Sequence, residues 1–431
     1  MASLFPMLDR RTLLVGLGAA AVATGLPAAT WAQGRRSFAM SAKPESLMLR
    51  PGGAGTPIWS LVGDDVRMSR GETFELTLSN DLPAPLALCC RGIDGAAAAE
   101  PLLTRAPLAS GAKESFQLPL RHAGTFLCDS GLLGDGQPRP LRAKPLVVLE
   151  SERIAVDRDD VLLLEEWRLR PDGTAAAPGT DAKDTTPVYT VNGRTSFELS
   201  ARANERLRLR FINASQRTVL AVKLESHEVR VMAIDGQPAE PFPARNGALV
   251  LAPGGRADAF VDVAATASIL LHDGKEARSI GRLTLSSEPP LRPGPLPPAP
   301  PLASNGLPAQ LDLKTAQRFE LALGTPADWA RPADFAASSP PAFRAKAGRA
   351  VVLALTNRAA IATVFHLHGH HFRLLDRLDD GWKPFWLDTL AIEPGQTQRV
   401  AFLAEHAGRF LIEQVPTDWA SPRFVRWYSV E

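Results

Sequence analysis

The sequence predicts an all-β protein of three β-sandwich domains in series, and three observations lead there. Helix-period patterns are scarce after the first thirty residues, while short apolar runs recur between turn residues, with 33 glycines and 37 prolines supplying the breaks. A chain of 431 residues exceeds what one hydrophobic core ordinarily organises, so two or three domains are expected. A stretch at 288–308 is dominated by proline, which donates no ladder hydrogen bond and runs as an extended connector, marking a domain boundary.

Residues 37–150 make the first expected domain. Phe74, Leu76 and Leu78 alternate with Glu75, Thr77 and Ser79, the period of two that gives a strand one buried face. Asn80-Asp81-Leu82-Pro83 then ends it with turn residues. Further strands fall at 115–120, 124–128 and 145–150. The second domain, 151–287, carries strand-length runs at 161–164, 207–212, 220–224, 229–233 and 260–263, each bounded by Gly, Pro, Asn or Asp. The third, 309–431, follows the proline-rich linker, with strands at 318–322, 350–355, 371–375, 398–401 and 408–413. The spacing suits Greek-key sandwiches of about a hundred residues each.

The N-terminus reads as a targeting segment rather than as fold. Arg10 and Arg11 precede Thr12-Leu13-Leu14, a modestly apolar Ala/Gly/Val/Leu stretch follows, and Thr30-Trp31-Ala32 offers a small-residue cleavage site. This resembles a Tat export signal over residues 1–32, with a Sec signal or an uncleaved anchor as the alternatives. The mature chain is then expected in the periplasm, and no later stretch is apolar enough for a membrane span. Acids and bases nearly balance at a net charge of +2, and no Lys/Arg block tracks a phosphate backbone, which argues against a nucleic-acid partner. Cys89, Cys90 and Cys128 leave two readings open: one bridge from Cys89 or Cys90 to Cys128 beside a buried thiol, or three free thiols. Vicinal cysteines rarely bridge each other without strain.

The strongest local signal is Phe365-His366-Leu367-His368-Gly369-His370-His371-Phe372. Alternate residues of a strand share a face, so His366 and His368 project together as a metal-site signature. Downstream come Trp386-Leu387-Asp388-Thr389, Pro394-Gly395-Gln396-Thr397 and Gly408-Arg409-Phe410. In that order these segments resemble the last cupredoxin domain of the multicopper oxidases. Gly71-Glu72-Thr73, Asp94-Gly95 and Gly124-Thr125-Phe126 are similar to landmarks of that family's first domain. Val191-Asn192-Gly193, Asp235-Gly236 and Pro253-Gly254-Gly255-Arg256 are similar to landmarks of its second. The resemblance spans nearly the whole mature chain and implies three cupredoxin-like domains.

It also implies a set of ligand positions, and most of them carry other residues. The family's His-Trp-His-Gly segment corresponds to Cys89-Cys90-Arg91-Gly92, and its His-Ser-His segment to Asp129-Ser130-Gly131. The mononuclear-copper histidine falls on Thr363, the closing His-Cys-His on Glu413-Gln414-Val415, and the last histidine and axial methionine near Asp418 and Arg423. Blue copper needs a thiolate and two imidazoles, which Gln414 cannot supply. Of the eight imidazoles of the trinuclear cluster only His366 and His368 remain, and Arg91 sets a fixed cation beside them. The family's four-electron oxygen reduction is therefore not expected, nor is any cofactor.

Two functions stay open. One is a non-enzymatic binding or scaffold protein of the envelope with a protein partner, resembling the copper-free, Tat-exported members associated with cell division. The other is an oxidoreductase with a single copper or zinc ion at a reduced site of His366, His368, Cys89 and Asp129. Against that site stands the expectation that Arg91 pairs with Asp129 or Glu413. His122, His227, His272, His370, His371 and His406 are expected to be structural or exposed. Trp382, Trp386, Trp419 and Trp427 are expected as apolar anchors, and as a partner surface if exposed.

Overall fold

The computed structural model describes residues 35–376 and 381–431; the leader expected at 1–32 lies outside them. The described chain is built from strands, with helical structure limited to three-residue 3₁₀ turns such as Ala97–Ala99 and Gly131–Leu133. Among the described residues no helix is long and apolar enough to cross a membrane.

Six sheets pair into three cupredoxin-like sandwiches. In the first, one sheet runs in the order Lys113–Pro119, Thr73–Asn80, Arg35–Leu47, Thr56–Gly63, Leu141–Arg142, and packs on Val66–Ser69, Lys144–Leu149, Gly124–Asp129, Cys89–Arg91. The Thr73–Asn80 strand has the alternation read from its sequence: Phe74, Leu76 and Leu78 are buried and their neighbours half-buried. The second sandwich has its central pair in Arg206–Asn213 and Arg256–Asp262; the third stacks Gln317–Leu323, Ala350–Asn357 and Thr397–Leu403 on Phe424–Val430, Gly408–Pro416, Thr363–Leu367 and Thr389–Ile392. Each sandwich has its own apolar core.

The strand Arg206–Asn213 is buried on both faces. Leu207, Leu209 and Phe211 enter the core of the second sandwich. Arg208 and Arg210, on the other face, are sealed against the first sandwich. Arg208 donates to Glu150 at 2.9 and 2.7 Å and to Asp258 at 3.2 and 2.6 Å, while Arg210 donates to Asp159, to Asp258 and to the Thr125 hydroxyl. A buried charge must be paired, so these arginines make the junction between two sandwiches a polar one.

The proline-rich connector is tied down along its length. An extended polyproline segment has no internal hydrogen bonds, which leaves its carbonyls free to accept. Arg202 donates to the Pro289 carbonyl at 2.8 Å, Asn204 to that of Arg292 at 2.8 Å, Arg206 to that of Leu296 at 2.9 Å, and Arg70 of the first sandwich to that of Ser304 at 3.0 Å. The strand expected at 371–375 shrinks to Arg373–Leu374, because His370 and His371 turn into buried polar contacts. The tryptophans do not form an exposed surface: Trp386, Trp419 and Trp427 are buried, and the indoles of Trp419 and Trp427 donate to the Ala177 and Ser339 carbonyls.

Candidate functional site

Strand register brings the site together. In the first sandwich Cys89 faces Asp129, Cys90 faces Cys128 and Arg91 faces Leu127 across an antiparallel pair. In the third, His366 faces Glu413. Between the two, Arg91 is 6 % exposed and occupies the centre. Its Nε and Nη2 donate to Asp129 Oδ2 at 3.1 and 3.0 Å, its Nη1 to Glu413 Oε1 at 2.8 Å and its Nη2 to Glu413 Oε2 at 3.3 Å. Arg423 donates to the same Glu413 carboxylate at 2.6 Å and to Gln216 of the second sandwich at 3.0 Å. His368 meets Glu413 through Nε2 at 2.7 Å and Glu100 through Nδ1 at 2.6 Å.

Burial opposes charge on Arg91, but the Glu413 and Asp129 carboxylates more than offset it and hold the guanidinium well above its ordinary value. Glu413 is the mirror case: burial would raise it, while Arg91 and Arg423 hold it well below the usual carboxylate range. Burial likewise disfavours a charged His368, yet the Glu100 carboxylate hydrogen-bonded to it carries the imidazole well above the ordinary histidine range. Burial pushes the Cys89 thiol up, so a neutral S–H sits 3.8 Å from His368 Nδ1. Arg91, Arg423 and the imidazolium of His368 thus face Asp129, Glu413 and Glu100, and the formal charges cancel.

His366 is different. Its Nδ1 lies 2.9 Å from the Thr389 hydroxyl, which gives its own proton to Asp388 at 2.6 Å, so Nδ1 is the protonated nitrogen. Burial and then Arg91 hold His366 well below its ordinary value, as a neutral ring. It keeps one lone pair, on Nε2.

The residues present do not fit a copper cluster. Ligation needs imidazole lone pairs or thiolates; His368 donates both ring N–H groups to carboxylates, Cys89 is a thiol, and the central volume is filled by a guanidinium. The space left is a cavity of about 30 Å³ lined by Cys89, Glu100, His366 and His368, and one of about 10 Å³ lined by Asp129, His366 and Arg423. The larger holds about one water. At Gly131 an added Cβ would lie 2.6 Å from Gln216 Oε1 and 3.0 Å from Arg423 Nη2, so the space of the family's histidine side chain is taken by those two residues. The positions that the resemblance matches to blue copper are engaged otherwise: Gln414 accepts from the Gly324 amide at 2.7 Å, the Thr363 hydroxyl bonds Asn357, and Asp418 sits in an exposed turn capping Ser421; Val415, matched to a cluster histidine, is buried apolar surface.

Of the four residues expected to share a metal, the structure brings Cys89 and His368 together with Glu413, their ligand atoms within 4.8 Å of one another. Asp129 is engaged by Arg91, and His366, which lines the same cavity, is outside that group, with its Nδ1 on the Thr389 hydroxyl. Glu100 and Gln216 were not singled out from sequence; Glu100 follows an alanine run at 96–99 with no spacing signal.

A second buried cluster lies where all three sandwiches meet. His371 Nδ1 is 2.8 Å from Asp94, and its Nε2 donates to the Asp235 carbonyl at 2.8 Å. Burial works against charge on His371, but Asp94 raises it to about 9. His122, 3.4 Å from Asp94, is pushed down to about 4 by burial. These three also converge within 4.8 Å. Asn305 of the connector, fixed by the Ala123 amide and carbonyl, donates to Gln237 Oε1 at 2.9 Å. That orients the Gln237 NH₂ toward His122 Nδ1 at 2.9 Å, a donor aimed where a cation would sit. The cluster is therefore a hydrogen-bonded junction.

Models of the multicopper oxidase family match residues 159–269 and 310–415, together about half of the chain. The chain belongs to the multicopper oxidase family. This family member is similar to the crystal structure of a multi-copper oxidase from Pseudomonas thermotolerans, with a TM-score of 0.80 at 24 % identity over 93 % of this chain and 100 % of that one. Lac15 from a marine microbial metagenome gives a TM-score of 0.75 at 22 % identity, covering 92 % of this chain and 100 % of the other. Both likenesses concern the fold. The multicopper oxidase MmcO of Mycobacterium tuberculosis is 26 % identical over 249 residues, 52 % of this chain; the match spans 46 % of that relative, less than half its length.

Proposed function

We propose that this family member is a non-enzymatic binding or scaffold protein of the cell envelope, in which the copper centre has become a structural junction. The observation that carries the reading is the Arg91 guanidinium set between Asp129 and Glu413, at a position where the family resemblance places a copper-ligating histidine. Arginine cannot deprotonate to make room for a metal ion. Seating a cation there means breaking buried ion pairs and setting like charges a few ångströms apart. The envelope assignment is supported by the twin-arginine leader motif and by resemblance to copper-free, Tat-exported relatives; a role in cell division and a protein partner in the periplasm follow from the same analogy.

The test is metal analysis of the purified chain after exposure to excess copper and removal of unbound ion, together with oxygen uptake on a phenolic substrate. The expected result is neither stoichiometric copper, nor a thiolate–copper absorption band, nor oxygen consumption. Near-stoichiometric copper showing that band sinks the reading. The convergence of Cys89, His368 and Glu413 supports a second one, an oxidoreductase with a single copper or zinc ion at a reduced site. It requires that wild type retain the ion and that His368→Ala release it with the circular dichroism of the fold unchanged.

A further inference from the structure

Cys90 and Cys128 stand directly opposite each other in the antiparallel pair of Cys89–Arg91 and Gly124–Asp129, with their sulfurs 3.2 Å apart. Directly opposed residues of such a pair hold their Cα atoms about 4.5–5.5 Å apart, inside the range that a disulfide spans. Closing the bond requires the sulfurs to approach by roughly 1 Å, a side-chain adjustment. Cys89 is excluded by strand alternation: its sulfur is on the other face, 3.8 Å from His368 Nδ1. Cys90 is half-buried and Cys128 fully buried, so Cys90 is the thiol an external reagent reaches first.

We propose that Cys90 and Cys128 are a disulfide-forming pair that staples the arginine-centred site, with Cys89 left as a permanent thiol. The oxidant is a small-molecule or protein disulfide. Cys90, as thiolate, attacks one of its sulfurs, the reagent's S–S bond breaks, and one reagent thiol leaves with a proton. Cys128 then displaces the second reagent thiol from the mixed disulfide. The two cysteines together lose two electrons and two protons, and the reagent gains them. The staple has a defined place: Cys90 is the chain neighbour of Arg91 and Cys128 of Asp129, so the bond locks together the two strands whose next residues form the buried ion pair. Contact with Cys128 and burial both raise Cys90 well above its ordinary value, so oxidation of the closed native pair is slow and the bond forms most readily while the chain is folding.

The full chain is reduced, unfolded and refolded in a buffer of oxidised and reduced glutathione. It is then quenched in acid, denatured, alkylated with a maleimide without reductant, and mapped by mass spectrometry. The expected product carries one maleimide, on Cys89, and a Cys90–Cys128 cross-linked peptide; Cys89→Ser carries none, and Cys90→Ser and Cys128→Ser each carry two. Adding reductant lowers the denaturation midpoint of wild type and Cys89→Ser but not that of Cys90→Ser. Three labelled cysteines in the refolded wild type, a glutathione adduct that never resolves, or a bridge that includes Cys89 overturns the proposal. Because the label is read on denatured protein, a variant that folds poorly still reports.

Discussion

The arginine-centred site and the Asp94–His371 cluster are built on one plan, a buried cation held by carboxylates between sandwiches, and they differ in the cation. Arg91 has no neutral form to fall back on, whereas His371 can release its proton. Removing a carboxylate from the first site strands a charge. Removing it from the second converts the cation into a neutral ring that still donates one hydrogen bond. The two clusters are therefore expected to respond differently to damage, although both are sealed from water.

The largest effect is expected at Glu413, which faces Arg91, Arg423 and His368 together. Glu413→Ala should cost about 3–5 kcal/mol in urea unfolding, since two guanidinium groups are left without their shared carboxylate. A loss under about 1 kcal/mol would mean that the network does not hold the sandwiches together. Asp94→Asn should cost less, about 2–3 kcal/mol near neutral pH, the worth of moving His371 from 6.5 to about 9. The histidine ring signals in NMR should then lose the titration near pH 9; if that titration persists, Asp94 is not its cause.

The same comparison has a pH signature. Because the folded value of His371 is raised, its contribution is fully present below pH 6.5 and fades as pH climbs through about 9. Glu413 is depressed, so its contribution is present above its ordinary value of 4.5 and is lost as pH falls. Thermal melts from pH 6 to 10 should therefore decline in wild type and be flatter in Asp94→Asn across the same window. Equal slopes in the two proteins would remove His371 from the account. The smallest effect belongs to Asp418→Ala, which loses only the exposed cap on Ser421. A change of about 0.5–1 kcal/mol is expected in the same urea experiment, and a larger one would show that this turn bears on the core.

Much of the fold is legible in the sequence because period-two alternation is a local property, as in Phe74, Leu76 and Leu78. Alternation does not say what the polar face of a strand meets. Arg206–Asn213 alternates cleanly, but nothing within the strand says that Arg208 and Arg210 meet Glu150, Asp159 and Asp258. At the site, the replacement of ligands was readable position by position, including an Arg91 partnered by Asp129 or Glu413. Glu100, Gln216 and the Asp94–His122–His371 cluster were not, because they meet their partners across sandwiches and carry no spacing signal.

By itself, the sequence determined which groups are available: no thiolate at Gln414, no imidazole at Asp129 or Gly131, a permanent cation at Arg91. Only the tertiary structure decided what those groups became. His366 and His368 sit two residues apart on one strand face, yet one is a neutral ring and the other an imidazolium, because burial and Arg91 hold the first neutral while Glu100 and Glu413 flank the second. Protonation in a buried site is set by which charges lie within a few ångströms, and for His368 those are Glu413, 45 residues away, and Glu100, 268 residues away in another sandwich.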